Sequence, residues 1–193
     1  MIESLLIFSR TGANVRRLPE LMATLLERAT VLARAHPDAE GVTIVTRYDD
    51  PTDTAAVVDG KQIERALFNL ILNACQSARV HGQKPYIAIT IEAKEPYLVM
   101  SVIDNGAGVS ESIRNSLFEP FVSEGKQKGT GLGLTLANTI AAEHGGEVVL
   151  LSSRPGETIF QMRVVRALPT QAIGVVAESE SHDPVASHEK VRT

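Results

Sequence analysis

Apolar residues recur along the chain with two periods, and the period changes at turn residues. Ile2, Leu5, Leu6 and Phe8 make a short stripe at helical spacing that stops at Gly12. Leu21, Leu25, Ala29 and Leu32 repeat at nearly the same spacing. They predict a helix opened by Pro19, where a missing N–H costs nothing, and closed by Pro37. Val42 and Ile44 alternate within Gly41–Tyr48, a strand pattern. The longest helical pattern covers 60–80, with Ile63, Ala66, Leu67, Leu70, Ala74 and Ala78 as its buried stripe. Ile87, Ile89 and Ile91 alternate in Tyr86–Ala93, as do Leu98, Met100 and Val102 in Tyr97–Ile103, so two strands are expected. A short helix near 110–118 leads into a polar, glycine-containing segment, Val122–Thr130. A helix from Leu132 to His144 ends at Gly145-Gly146, a C-cap signal. Strands near 147–152 and 157–165 close the pattern, with Phe160, Met162 and Val164 alternating against Gln161 and Arg163. The expected fold is an α/β two-layer sandwich, a mixed sheet with helices on one face.

This pattern divides the chain. Residues 1–17 read as the end of a longer helical unit and its linker, and 18–168 as the folded domain. From Pro169 the character changes, and 177–193 are rich in Ser, Glu, His and Lys. Such a segment buries too little surface to offset its ordering entropy, so 169–193 are expected to be a disordered tail.

Composition narrows the function classes. A net charge of -4 argues against a general nucleic-acid partner, which favours basic domains. Cys75 is the single cysteine, so no internal disulfide is possible, in keeping with a cytoplasmic protein. No apolar run approaches the ~20 residues that span a bilayer, and no signal peptide is evident.

Four segments carry candidate chemistry. On the long helix, Asn69 and Asn73 are four apart and share a face beside the apolar stripe. Their amide oxygens are hard, neutral ligands suited to Mg²⁺, although two such residues are also ordinary polar surface. Asp104-Asn105-Gly106-Ala107-Gly108 follows a buried strand. Its carboxylate could accept a hydrogen bond from an adenine amino group, and its glycines let a ligand approach the backbone. Asp-Asn-Gly is equally a common turn. In Phe118-Glu119-Pro120-Phe121 two aromatics bracket a proline, which suits a hinge whose rings pack on the core; a helix end anchored by Phe reads the same. Gly129-Thr130-Gly131-Leu132-Gly133-Leu134 runs straight into a helix, and free N–H groups there favour an anion such as a triphosphate. It is not a P-loop, because no Gly-Lys-Ser/Thr follows.

In that order, the four segments resemble the N, G1, F and G2 boxes of histidine-kinase catalytic domains, over about residues 20–168. The resemblance implies a Bergerat ATP-binding fold, shared with DNA gyrase, whose mixed sheet is mainly antiparallel. It implies ATP and Mg²⁺ as cofactors, Asn73 as the metal ligand and Asp104 as the adenine reader. Gly106 and Gly108 would shape the base pocket, and Gly129, Gly131 and Gly133 would cover the phosphates beneath a mobile lid. Asn69, Thr130, Leu132 and Leu134 complete the expected ATP-binding set, with Lys126 where family members often carry a lid lysine. Leu5-Leu6-Ile7-Phe8-Ser9-Arg10 resembles the end of a dimerisation and histidine-phosphotransfer domain. The histidines are His36, His81, His144, His182 and His188, and none has the His-Glu/Asp-x-x-x-Pro setting of a phosphoacceptor. The acceptor is therefore expected on another domain, with a response regulator receiver domain as the next partner. No residue of this chain is assigned a catalytic role, and His144 is read as structural.

The pattern also departs from the family. Asn69 stands where gyrase-like ATPases have a water-activating glutamate. Gln76 replaces a frequent lysine, and the final Gly-x-Gly is reduced to Gly156-Glu157-Thr158. Cys75 lies away from Asn73 on the helix and is read as structural. Two rivals share the fold, an anti-sigma-factor serine kinase and a non-catalytic nucleotide-sensing module.

Overall fold

The computed structural model describes residues 16–80, 84–123 and 130–167. Seven strands and four helices form there: β1 (Leu18–Leu21), α1 (Met22–Arg34), β2 (Thr43–Arg47), β3 (Ala55–Val58), α2 (Gly60–Val80), β4 (Tyr86–Lys94), β5 (Tyr97–Asp104), α3 (Glu111–Arg114), α4 (Gly133–Glu143), β6 (Glu147–Arg154) and β7 (Glu157–Val165). The main sheet has the order β2-β4-β5-β7-β6. Only β2 and β4 run parallel, and every other pair is antiparallel. This is the mixed, mainly antiparallel sheet expected. A separate antiparallel ribbon joins β1 to β3.

The alternation in the strands decides where the core lies. Ile87, Ile89 and Ile91 from β4, Leu98, Met100 and Val102 from β5, and Phe160, Met162 and Val164 from β7 are all buried in one cluster. Helices α1, α2 and α4 supply the opposite layer. Residues Ile63, Ala66, Leu67, Leu70, Ala74 and Ala78 are buried as the spacing predicts, together with Ile71 and Cys75. Burial pushes the Cys75 thiol up to about 11, so it packs as an inert apolar side chain.

The first helix departs from expectation. Pro19 lies in β1, paired with Val57, and α1 begins only at Met22. A proline without an N–H is tolerated in a short edge strand. The inward stripe is Met22, Leu25, Leu26, Ala29 and Ala33, while Leu21 is 38% and Leu32 is 56% exposed. Two adjacent leucines, Leu25 and Leu26, rotate the buried face away from Leu32. The short helix near 110–118 contracts to Glu111–Arg114. The segments expected as a phosphotransfer remnant and as a disordered tail fall outside the described residues, apart from Arg16 and Arg17.

His144 ties the helical layer together. It is buried at the C-terminal cap of α4. Its Nε2 accepts a hydrogen bond from the Asp59 N–H at 3.0 Å, just before α2. Its Nδ1 lies 2.8 Å from the Ile140 carbonyl oxygen. These partners require a neutral ring with the proton on Nδ1. Replacing His144 by Leu keeps bulk but leaves the Asp59 N–H unsatisfied, and is expected to cost about 2 kcal/mol. Urea denaturation checks this, and an unchanged midpoint would show that packing alone matters at this position.

Candidate nucleotide site

The site opens along one face of α2, between the end of β5 and the start of α4. Asp104 is the last residue of β5 and 2% exposed. Its Oδ1 accepts hydrogen bonds from Ser77 Oγ at 2.8 Å and from the Gly106 N–H at 2.9 Å. Its Oδ2 is buried with no hydrogen-bond partner among the described residues. Thr158 is its register partner on β7, and that hydroxyl is a second buried orphan. Burial raises the Asp104 pKa, opposed by Gly106, Ser77 and Thr158. Thr158 thus lies close enough to lower the pKa, without hydrogen-bond geometry. A buried acceptor lacking a donor is unfavourable unless a ligand provides one.

Close approach makes glycine obligatory here. A Cβ on Gly106 would stand 2.0 Å from Ser77 Oγ. Gly108 has φ +85°, and its neighbour Val109 donates its N–H to Ser153 Oγ at 2.8 Å. The Asp-Asn-Gly segment is therefore a turn as well as a binding element. Asn105 closes that turn by accepting from the Tyr86 N–H at 2.9 Å.

The opposite end is built from backbone. Helix α4 starts at Gly133, and the N-cap residue Leu132 offers no side-chain cap to the first N–H groups. Gly133 lies against α2: a Cβ there would meet Asn69 Oδ1 at 3.2 Å. Gly131 has φ +66°, and a Cβ on it would lie 2.5 Å from the Phe121 carbonyl carbon. The Phe121 N–H donates to the Gly131 oxygen at 3.0 Å. Leu134 packs on the core, and Thr130 is exposed.

Asn69 and Asn73 share the pocket face of α2 and are both half-buried. Asn69 Nδ2 donates to its own helix, at Arg65 O, 2.8 Å away. Gln76 Nε2 donates to Asp38 Oδ2 at 2.7 Å, so the residue standing where family members often have lysine is turned toward the 3-10 turn Pro37–Ala39. No group of three His, Cys, Asp or Glu side chains fit to hold a metal occurs among the described residues. A half-buried amide such as that of Asn73 could add one oxygen to a Mg²⁺ carried in by a nucleotide, with no protein cage of its own.

The aromatic pair divides. Phe118 packs against the core, as expected, whereas Phe121 is 67% exposed with φ +68°. Its backbone, pressed against Gly131, leaves its ring facing outward. Lys126, Gly129 and most of the expected lid lie outside the described residues, as do His81, His182 and His188. Ser77 and Thr158 were not expected. Ser77 lies one turn beyond Asn73 on the same face, a legible signal; Thr158 is found only through strand register.

An open-faced sandwich holding a buried carboxylate at one end of a helix face and uncapped amides at the other defines an ATP-binding class of domain. The chain belongs to the histidine kinase-, DNA gyrase B- and HSP90-like ATPase family, whose model matches residues 58–168. It is 35% identical over 129 residues to the sensory histidine kinase/phosphatase NtrB of Rhodobacter capsulatus, covering 62% of this chain and 36% of that protein. It is 29% identical over 161 residues to the nitrogen regulation protein NtrY of Azorhizobium caulinodans, covering 81% of this chain and 20% of the relative. It therefore spans well under half the length of either. Among solved structures, the nucleotide-free catalytic domain of histidine kinase ThkA superposes with a TM-score of 0.68 at 25% identity, covering 80% of this chain and 98% of that one. Full-length ShkA in complex with AMPPNP gives a TM-score of 0.70 at 26% identity, covering 86% and 36%.

The raised Asp104 pKa sets a pH signature. Below the ordinary carboxylate value the group is neutral in folded and unfolded chains alike. As pH rises through the raised folded pKa, ionisation in a buried site removes stability. Asp104→Asn, which does not titrate, should melt higher than the parent without nucleotide near pH 7. That gap should close as pH falls through the raised pKa. Thermal melts of both proteins across this range decide it; a gap independent of pH would mean that Asp104 does not carry the buried charge.

Proposed function

We propose that this chain is the ATP-binding catalytic domain of a two-component sensor histidine kinase, transferring the γ-phosphate of ATP to a histidine outside this sequence. The observation that carries the nucleotide reading is Asp104 Oδ2, a buried acceptor without a hydrogen-bond partner among the described residues, on the register partner of Thr158, whose hydroxyl is likewise unsatisfied. An adenine amino group supplies the donor this oxygen lacks. The kinase reading is supported by the family match and by relatives named as sensory histidine kinases.

The roles follow from position. Asp104, Gly106 and Gly108 hold the base. Asn73 helps to hold Mg²⁺, which when bound neutralises charge on the phosphates. Thr130 to Leu134 enclose the phosphates, and Asn69 faces their outer end; Gly129 and Lys126 join this set by the family resemblance alone. Positioning and electrostatics then dominate, since the incoming imidazole is itself the nucleophile. The acceptor lies on a dimerisation and histidine-phosphotransfer domain, and a response regulator takes the phosphate next. The site is cytoplasmic in this reading. Among the described residues no helix is long and apolar enough to cross a membrane.

Calorimetry should show Mg-ATP or ADP binding at micromolar strength, weakened more than ~10-fold by Asp104→Asn, whose amide would oppose the adenine amino group donor to donor. Asn73→Ala should lose the Mg²⁺ dependence of ATP binding while keeping its fold. Incubation with γ-labelled ATP should leave the chain alone unlabelled, but label an added phosphotransfer domain on histidine. Label on a serine of an added partner would favour the serine-kinase rival, and unaltered affinity in Asp104→Asn would place the base elsewhere.

A further inference from the structure

Asp104 is buried with no cation beside it: among the described residues no lysine, arginine or histidine forms an ion pair with it. Its neighbours come from four sides. Helix α2 presents Ser77 and the Cys75 thiol, β7 presents Thr158, β4 presents Ile87, and its own turn presents Gly106. Cys75 is the titratable one, and with its pKa pushed up to about 11 it adds no charge at neutral pH. The Asp104 charge therefore rests on hydrogen-bond donors. Ser77 Oγ at 2.8 Å and the Gly106 N–H at 2.9 Å have the geometry, and both meet Oδ1. The Gly106 donor is backbone, so Ser77 is the one side chain that holds the carboxylate. The turn packs directly on it: a Cβ on Gly106 would stand 2.0 Å from Ser77 Oγ and 2.7 Å from the Ser77 carbonyl carbon.

The protonation state of Asp104 decides what its free oxygen can read. Ionised, Oδ2 only accepts, and it matches an amino group at the 6-position of a purine. Once protonated, the group keeps Oδ1 engaged by Ser77 and Gly106, so the proton lies on Oδ2. That oxygen then donates, and it matches a keto oxygen at the same position. Burial raises the Asp104 pKa toward the second state, and Gly106, Ser77 and Thr158 oppose it.

We propose that Ser77 sets the base specificity of this site: its hydroxyl keeps Asp104 an acceptor, so that a 6-amino purine is taken and a 6-keto purine refused. The inference rests on the nucleotide reading above. Ser77 is a positioning residue that acts through Asp104.

Mg-ADP and Mg-IDP test this, because the two carry the same ribose and phosphates and differ in having an adenine or a hypoxanthine base. Calorimetry of both between pH ~5.5 and ~8 gives a ratio of affinities from which phosphate ionisation cancels. Ser77→Ala removes the donor and keeps a good helix former in α2. At pH 7 it should weaken ADP ~5-fold or more while IDP changes less than ~2-fold. In the parent the preference for ADP should shrink as pH falls through the raised Asp104 pKa. In Ser77→Ala that decline should begin at higher pH, because the lost donor had favoured the ionised form. A residue that only supports the fold would weaken both nucleotides alike and leave the pH profile of their ratio in place. Equal losses, no loss, or an unmoved profile would overturn the role of Ser77 and leave the nucleotide site standing. Failure of the parent chain to bind ADP would overturn both.

Discussion

The site depends on a carboxylate that the fold buries and only half satisfies. Asp104 ends a central strand, so its neighbours β4 and β7 hold it from both sides. One oxygen is fixed by Ser77 from the helical layer and by Gly106 from its own turn. These bonds fix the carboxylate in one orientation and leave the second oxygen without a hydrogen-bond partner among the described residues. Burial without full pairing is a cost to the empty domain and a source of selectivity for a ligand. Only a group carrying a donor removes the penalty.

The phosphate end follows a different rule. In the proposed site, recognition there falls to the uncapped N–H groups at the start of α4. Such amides need the chain to come close, which is why Gly131 abuts Phe121 and Gly133 abuts Asn69. The antiparallel run of α4 along α2, pinned at the far end by His144 and Asp59, sets the height of those amides against the asparagines. A core interaction thereby fixes the distance between Asp104 and the start of α4, the two ends of the proposed site.

Periodicity carried most of this in plain view. The alternating isoleucines of β4 and the long stripe of α2 define the two layers, and the asparagines beside that stripe mark the pocket face. Three kinds of feature were not legible. Leu21 and Leu32 fit a helical stripe equally well, and only packing shows that Leu25 and Leu26 turn that face away. Thr158 stands beside Asp104 through strand register, a long-range property that spacing does not encode. Phe121 has the composition of a core anchor, yet a positive φ beside Gly131 sends its ring outward.

The residue at position 69 decides what the proposed chemistry does with its phosphate. A glutamate there could take a proton from water, whereas an amide cannot act as a general base at neutral pH. Asn69 also spends its N–H on Arg65 O, which turns its oxygen toward Gly133 and the phosphate end. An oxygen in that position can orient a neighbouring group but cannot activate water. Bound ATP would therefore persist until a better nucleophile than water arrives. An imidazole meets that need, because its nitrogen lone pair requires no base before attack. The amide at position 69 suits the proposed role, in which the domain stores a reactive nucleotide for a partner and does not consume it alone.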